Sequence, residues 1–208
     1  ERVRGLVHGA PVSSRRLSIT TRMTLKATAF LVVSATLIIA LLEWRGFLAG
    51  MPASVKCLNA FFSGVTPRTA GFNSVDYAEA HPITLMVTDI YMFIGGGSAG
   101  TAGGIKITTA TVLLAAMLAE FKGRDATTVG HRTVPKSVVR QAMTVAAAGL
   151  VAVTAGVATL RICDPQFTAD QVNFEVISAF ATTGLSTGIT ADLSAPSQLA
   201  LCLLMYLG

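Results

Sequence analysis

Thr66-Pro67-Arg68-Thr69-Ala70-Gly71-Phe72-Asn73-Ser74-Val75-Asp76 has a counterpart 113 residues further on, Ala179-Phe180-Ala181-Thr182-Thr183-Gly184-Leu185-Ser186-Thr187-Gly188-Ile189. With Gly71 set on Gly184, Thr69 falls on Thr182, Phe72 on Leu185 and, upstream, Phe61 on Phe174. The same offset sets Met92-Phe93-Ile94-Gly95 on Met205-Tyr206-Leu207-Gly208. A repeat this long, with apolar runs on both sides of a polar turn, points to a duplicated membrane unit. Thr-x-Gly suits a membrane interior only where its backbone has a task. Glycine permits positive φ, so neighbouring carbonyls can turn to one axis and replace the water around a dehydrated cation. The two stretches therefore read as pore loops of a cation pathway.

Composition agrees with a membrane setting. Of 208 residues, 52% are hydrophobic and 13% charged, and the mean hydropathy is +0.62. The net charge of +5 is placed unevenly: of sixteen Lys and Arg, six lie in residues 1–26 and five in residues 122–140. Basic clusters flanking apolar runs are the pattern of cytoplasmic segments. No aromatic residues are interleaved with them as a nucleic-acid surface would need, so nucleic acid is not an expected partner and membrane lipid is. Cys57, Cys163 and Cys202 lack metal-ligand spacing and read as structural thiols, and His8, His81 and His131 are scattered singly. The chain opens on Glu1 with no signal peptide and closes inside an apolar run at Gly208, so both ends read as cut from a longer polypeptide.

The units follow from these marks. Residues 1–26 form a basic cytoplasmic connector. Residues 27–121 form one pore repeat. Its first span includes the uncharged run Ala27–Leu42, and a helix from Met23 to Leu42 would reach about 30 Å, one hydrocarbon thickness. Trp44 then sits at the outer interface. Ala53–Val65, opened by Pro52 or Ser54, is too short to cross; it would aim the negative end of its dipole at Thr69-Ala70-Gly71. Pro82–Phe121 is too long for one helix, since forty residues would reach about 60 Å. Six glycines between 95 and 104 mark a break, with a helix resuming over Ile105–Phe121. A helix entering near Pro82 reaches Gly95 after roughly 18 Å, and broken backbone at that depth must lie inside protein or along a water-filled cavity. Residues 122–140 form a second cytoplasmic loop. Residues 141–208 form a second repeat: a span over Gln141–Leu160 with small residues Ala148, Ala152 and Gly156, a short helix capped by Asp170 or Asn173, the turn Thr182-Thr183-Gly184, and an unfinished inner helix from Ser197. Each basic loop precedes its span, so the repeats are parallel.

Two soluble-protein motifs fail on context. Gly95-x-Gly97-x-x-Gly100 copies a dinucleotide fingerprint but follows a membrane-like run with no βαβ unit, and Gly100 to Lys106 has Ile105 where a phosphate loop needs glycine. An oxidoreductase or nucleotide enzyme is thereby set aside; the chain is not expected to be an enzyme. A sodium-coupled carrier of a small solute is the alternative, because broken helices and repeats occur there too. Inverted repeats and charged groups at the break would mark it, whereas these repeats are parallel and only Lys106 edges the break.

With these stretches placed, the chain resembles the Trk/Ktr/HKT family of potassium transporters, in particular the bacterial membrane subunit of Trk and Ktr systems. Thr66–Asp76, Met92–Lys106, Ser178–Thr190 and Met205–Gly208 carry the resemblance. It implies an all-α integral membrane fold of parallel span, pore-helix, filter-loop, span repeats around a central cation pore, with this chain holding the third repeat and a truncated fourth. Carried over by position, the potassium filter would be the backbone of Thr69, Ala70, Gly71 and Phe72 with Thr182, Thr183, Gly184 and Leu185. A gating loop would span Gly95, Gly96, Gly97, Ser98, Gly100, Gly103 and Gly104, with Lys106 at its edge. Ala70 stands where many potassium channels place Val, which leaves sodium open as a second cation. The resemblance further implies a multi-pass protein of the bacterial inner membrane, a cytosolic nucleotide-binding regulatory subunit of the TrkA/KtrA type, and a homodimer of the full-length protein. Several single residues keep two readings. Asp89 faces the pore or pairs with Arg68; Arg68 fixes filter carbonyls or makes an outward salt bridge. Asp76 concentrates cations or caps a turn. Lys106 anchors at the interface or blocks the path.

Overall fold

Why the chain turns where it does is set by two long apolar helices and by the breaks between shorter ones. The computed structural model describes residues 19–97, 103–124, 126–129 and 132–208. Helix α1 runs over Ile19–Glu43 and α2 over Ala53–Val65; a 3-10 turn at Tyr77–Glu79 leads into α3, Pro82–Phe93. After the break comes α4, Ile107–Phe121, then a small antiparallel hairpin of β1 (Thr128–Val129) and β2 (Arg132–Thr133) in which Thr128 faces Thr133. The second unit is α5 (Lys136–Cys163), α6 (Ala169–Phe180), a 3-10 turn at Ile189–Asp192 and α7 (Ala195–Leu207). The protein is mostly helical rather than wholly so.

The helices α1 and α5, with 25 and 28 residues, are long enough to cross a bilayer, at about 1.5 Å per residue. They are not core helices of a soluble protein, because their apolar residues face outward: Phe30 is 71% exposed and Leu41 81%. Both begin earlier than their uncharged runs. Arg22 and Lys26 lie inside α1, and Lys136 and Arg140 inside α5. Long basic side chains at a helix end can extend their charge to the headgroups while the stem stays on the apolar surface, so charge does not end the helix. The resumed helix begins at Ile107 rather than Ile105, because Ile105 is taken up in a bridge to Ile94.

The inner faces pack through small residues. A methyl added at Gly64 of α2 would lie 2.6 Å from Thr36 Oγ1 of α1, so the two helices cross in near backbone contact. On α5 the inward face is Ala142, Gly149, Val153, Gly156 and Leu160; of the expected small residues Gly156 is buried and Ala152 half-buried, while Ala148 is exposed and Gly149 faces inward beside it. Helix α6 touches α3, α5 and α7, which places the second short helix between the repeats. Tyr77 and Phe174, both buried, meet at 5.4 Å between ring centres and join the first repeat's outer loop to α6.

A carboxylate device recurs in both repeats. Glu43, at the end of α1, accepts the backbone N–H of His81 at 2.9 Å and the hydroxyl of Thr84, so it neutralises the first turn of α3. Asp164, just past α5, accepts the backbone N–H of Ser194 at 3.1 Å and its hydroxyl at 2.7 Å, and a further hydrogen bond from Ser197. His81 and Ser194, like Thr84 and Ser197, are equivalent under the repeat offset. Each outer helix thus holds the head of its own inner helix.

Candidate ion pathway

Each short helix ends on one of the two turns. Helix α2 is closed by Thr66, whose hydroxyl donates to the carbonyl of Phe72 and so folds the turn back on itself. Ala70 and Gly71 also donate their N–H groups to Thr66 O, at 3.1 and 3.4 Å. Helix α6 begins with a reciprocal capping box between Thr168 and Gln171, so neither Asp170 nor Asn173 is its cap. It ends with Thr182 N–H on Ala179 O at 3.0 Å and Thr183 N–H on Ser178 O at 2.9 Å.

The backbone beyond each helix repeats in detail. Thr69 has φ +69° and Gly71 +73°; Thr182 has +50° and Gly184 +90°. Thr69 and Thr182 are the described non-glycine residues with positive φ. A β-branched residue in the left-handed region is a genuine outlier that costs about 1–2 kcal/mol, and it persists only where surrounding structure imposes it. Carbonyls of an extended strand alternate sides. Left-handed residues at every second position bring successive carbonyls toward one side instead. The two turns also meet: a methyl at Gly71 would strike the carbonyl oxygen of Thr183 and lie 3.6 Å from Gly184 Cα. Ala70 and Phe72 are exposed, while Thr183 and Leu185 are buried, so backbone geometry is shared where side-chain environment is not.

The break lies against the second turn. Its neck is closed by Gly95 N–H on Ile105 O at 2.9 Å, Ile105 N–H on Phe93 O at 3.1 Å and Ile107 N–H on Gly96 O at 3.1 Å. Gly103 donates its N–H to the Thr182 hydroxyl at 2.9 Å, and a methyl there would sit 2.8 Å from Ala181 O. The structure therefore brings Gly103 and Gly104 against Ala181 and Thr182 just past α6, with Gly95 packed on Gly103. Lys106, half-buried, occupies the N-cap position of α4 without a side-chain capping hydrogen bond. Ser98 and Gly100 lie outside the described residues.

Several side chains take roles the sequence left open or hid. Asp76 accepts the N–H of Ala78 at 2.8 Å and caps the 3-10 turn. Arg68 reaches Thr28 Oγ1 at 3.5 Å through Nη2, while its buried Nη1 and Asp89 Oδ1 have no partner among the described residues. The Arg68–Asp89 pair is thus absent among the described residues, as is an Arg68 bond to a carbonyl of either turn. Glu175 went unread. It is buried on α6 and accepts Thr187 N–H at 3.0 Å, Thr190 Oγ1 at 2.8 Å and the hydroxyl of Ser186, pinning the chain that leaves the second turn. Its one sequence signal is a carboxylate surrounded by apolar residues in a short helix next to a polar turn.

Residues 16–208 match the family described as TrkH, cation transport protein. The chain belongs to that family. It is 35% identical over 196 residues to Ktr system potassium uptake protein B of Bacillus subtilis, covering 93% of this chain and 44% of that protein. It is 34% identical to the potassium/sodium uptake protein NtpJ of Enterococcus hirae, again covering 93% of this chain and 44% of that protein. The fold matches the crystal structure of the potassium transporter TrkH from Vibrio parahaemolyticus with a TM-score of 0.75 at 21% identity, over 88% of this chain and 41% of that one. The chain spans less than half the length of these relatives. Membership in a family of membrane transporters accounts for apolar faces turned outward on α1 and α5, and the TrkH fold for their packing.

Proposed function

We propose that this TrkH-family segment forms part of a potassium uptake pathway across the bacterial inner membrane, with the backbones of Thr69–Phe72 and Thr182–Leu185 as two strands of its selectivity filter. The observation that carries the reading is the matched pair of left-handed residues at Thr69/Gly71 and Thr182/Gly184, in turns that meet at their glycines. Two short helices present the negative ends of their dipoles to these turns, which favours a cation without a fixed carboxylate that would hold it too tightly. Potassium is the named cargo of the Bacillus relative, and sodium is named beside it for the Enterococcus one. Ala70 in the filter strand is consistent with a pathway that admits both.

The Gly-rich break serves in this reading as the gate. Its arm at Gly103 meets the Thr182 hydroxyl by one hydrogen bond among the described residues, worth about 1 kcal/mol net, so two arrangements can lie close in free energy. A cytosolic regulatory subunit would act by binding one arrangement better than the other, and a full-length homodimer would supply two such pathways. Residues 27–121 and 141–208 would be successive repeats of a four-repeat pore.

The test is rubidium uptake by the full-length transporter with sodium as competitor. Gly71→Ser and Gly184→Ser are each expected to lower the potassium-to-sodium preference by about tenfold, the equivalent of the 1–2 kcal/mol for a side chain at positive φ. Unchanged preference in both variants removes the filter assignment.

A further inference from the structure

Beyond the pathway, α4 and α5 part at the end of α4 remote from the break to leave a cavity of about 910 Å³. Met117 of α4 and Val139 and Met143 of α5 form apolar walls, and Met117 and Met143 are largely exposed. Arg124, Lys136 and Arg140 line its base, all exposed, against one carboxylate among the described lining residues, Glu120. Further along the same two helices lies a second cavity of about 240 Å³, walled by Val112, Val138, Ala142 and Val145.

A site that is cationic at one end and apolar along a crevice between two helices asks for an elongated, amphipathic anion. Basic pockets between spans on the cytoplasmic side bind lipid headgroups, and the positive clusters put this end of α4 and α5 on that side. We propose that the cleft holds an anionic phospholipid, its phosphodiester among Arg124, Lys136 and Arg140 and an acyl chain along the crevice toward Val112 and Val145. A free phosphate or an acidic peptide would satisfy the basic end and leave the apolar crevice empty. The proposal rests on α4 and α5 lying in a bilayer and stands apart from the filter reading.

Native mass spectrometry of the full-length transporter, incubated with equal amounts of phosphatidylglycerol and phosphatidylcholine, tests it. The parent protein is expected to retain phosphatidylglycerol preferentially. Arg124→Gln, Lys136→Gln and Arg140→Gln together are expected to reduce that retention by about tenfold or more, because each cation near an anionic headgroup contributes a factor of about five. Val139→Trp, which fills the crevice with the charges intact, is expected to reduce retention as well. Arg22→Gln with Lys26→Gln, which removes charge elsewhere, should leave it unchanged, and Lys136→Arg with Arg140→Lys should preserve it and report on folding. Three results would overturn the proposal: parent-level retention in the triple variant, equal retention of the two lipids by the parent, or displacement by millimolar inorganic phosphate with Val139→Trp indifferent. The last would mark a phosphate site only.

Discussion

The two Thr-x-Gly turns share their left-handed backbone positions and differ in what supports them. Both repeats place left-handed residues at the equivalents of Thr69 and Gly71, and both clamp the inner helix to the end of the outer one with a carboxylate. Yet the chain leaving the first turn is held by a neutral pair, Ser74 Oγ on Asn59 Oδ1 at 2.7 Å, where the second repeat uses the buried carboxylate of Glu175. Phe72 is 73% exposed and its partner Leu185 only 3%. The break reaches Thr182, while the hydroxyl of Thr69 is buried without a partner. The left-handed positions are shared despite these differences, which is what the proposed carbonyl-lined filter would require. The second turn thus has two supports, Glu175 and the contact with Gly103, that the first lacks among the described residues.

The sharpest way to break the comparison is to add one methyl to each glycine. Gly71→Ala meets the Thr183 carbonyl as well as an unfavourable φ, whereas a methyl at Gly184 finds its nearest neighbour, Gly71 Cα, at 3.9 Å. Gly71→Ala is therefore expected to lower rubidium uptake by tenfold or more, and Gly184→Ala by several-fold, at about 1–2 kcal/mol for φ alone. Equal losses would mean that the turns do not meet in the working protein.

The next contrast concerns what pins each turn. Glu175→Ala leaves the buried N–H of Thr187 without its acceptor and removes the bonds from the Ser186 and Thr190 hydroxyls, and is expected to destabilise the protein by about 2–3 kcal/mol. Ser74→Ala removes one exposed bond, to Asn59 Oδ1, and is expected to lower stability by about 1 kcal/mol or less. Thermal unfolding in detergent reads both. Equal effects would deny the second turn its extra support.

How legible this was in the sequence depended on the kind of signal. Ala53–Val65 was readable to the residue because Pro52 starts the helix and Thr66-Pro67 stops it. The repeat at Thr69–Gly71 was readable because glycine and threonine at fixed spacing report a backbone need. The spans were legible in existence but short at their basic ends, since a run without charge is narrower than the helix that carries it. Thr168 was missed as a cap because Asp170 and Asn173 are stronger cap formers by type, and the choice rested on the reciprocal bond to Gln171. Glu175 and the Glu43 and Asp164 clamps stayed hidden for another reason. Their partners lie 11 to 41 residues away, and local pattern carries no trace of such a contact. Arg68 and Asp89 suggested a pair by charge alone, which packing does not bring together.

A smaller effect separates the two threonines. Thr182→Ala removes the acceptor of Gly103 N–H and frees one arm of the break, so basal uptake without the regulatory subunit is expected to rise a few-fold, the scale of one net hydrogen bond of about 1 kcal/mol. Thr69→Ala touches no described part of the break and should leave basal uptake at the parent level. A rise in both, or in neither, would detach the break from the second turn and with it the gate.

The smallest expected effect lies in the clamps. Hydrogen bonds from Ser197, then from the Ser194 hydroxyl and N–H, hold the Asp164 carboxyl below its ordinary value of 3.8. A carboxyl lowered on folding stabilises the fold above its unfolded value, and that contribution is lost as pH falls through the folded value. The parent is therefore expected to unfold a few degrees above Asp164→Asn at neutral pH. The gap should stay constant down to pH 3.8 and close below it. The amide keeps an acceptor for Ser194 but not the charge that favours the head of α7, so the comparison isolates the ionised form. A gap that persists unchanged into acid would assign the clamp's effect to hydrogen bonding alone. The two repeats would then differ in how their inner helices are held, since a neutral clamp gives the helix dipole nothing to act on.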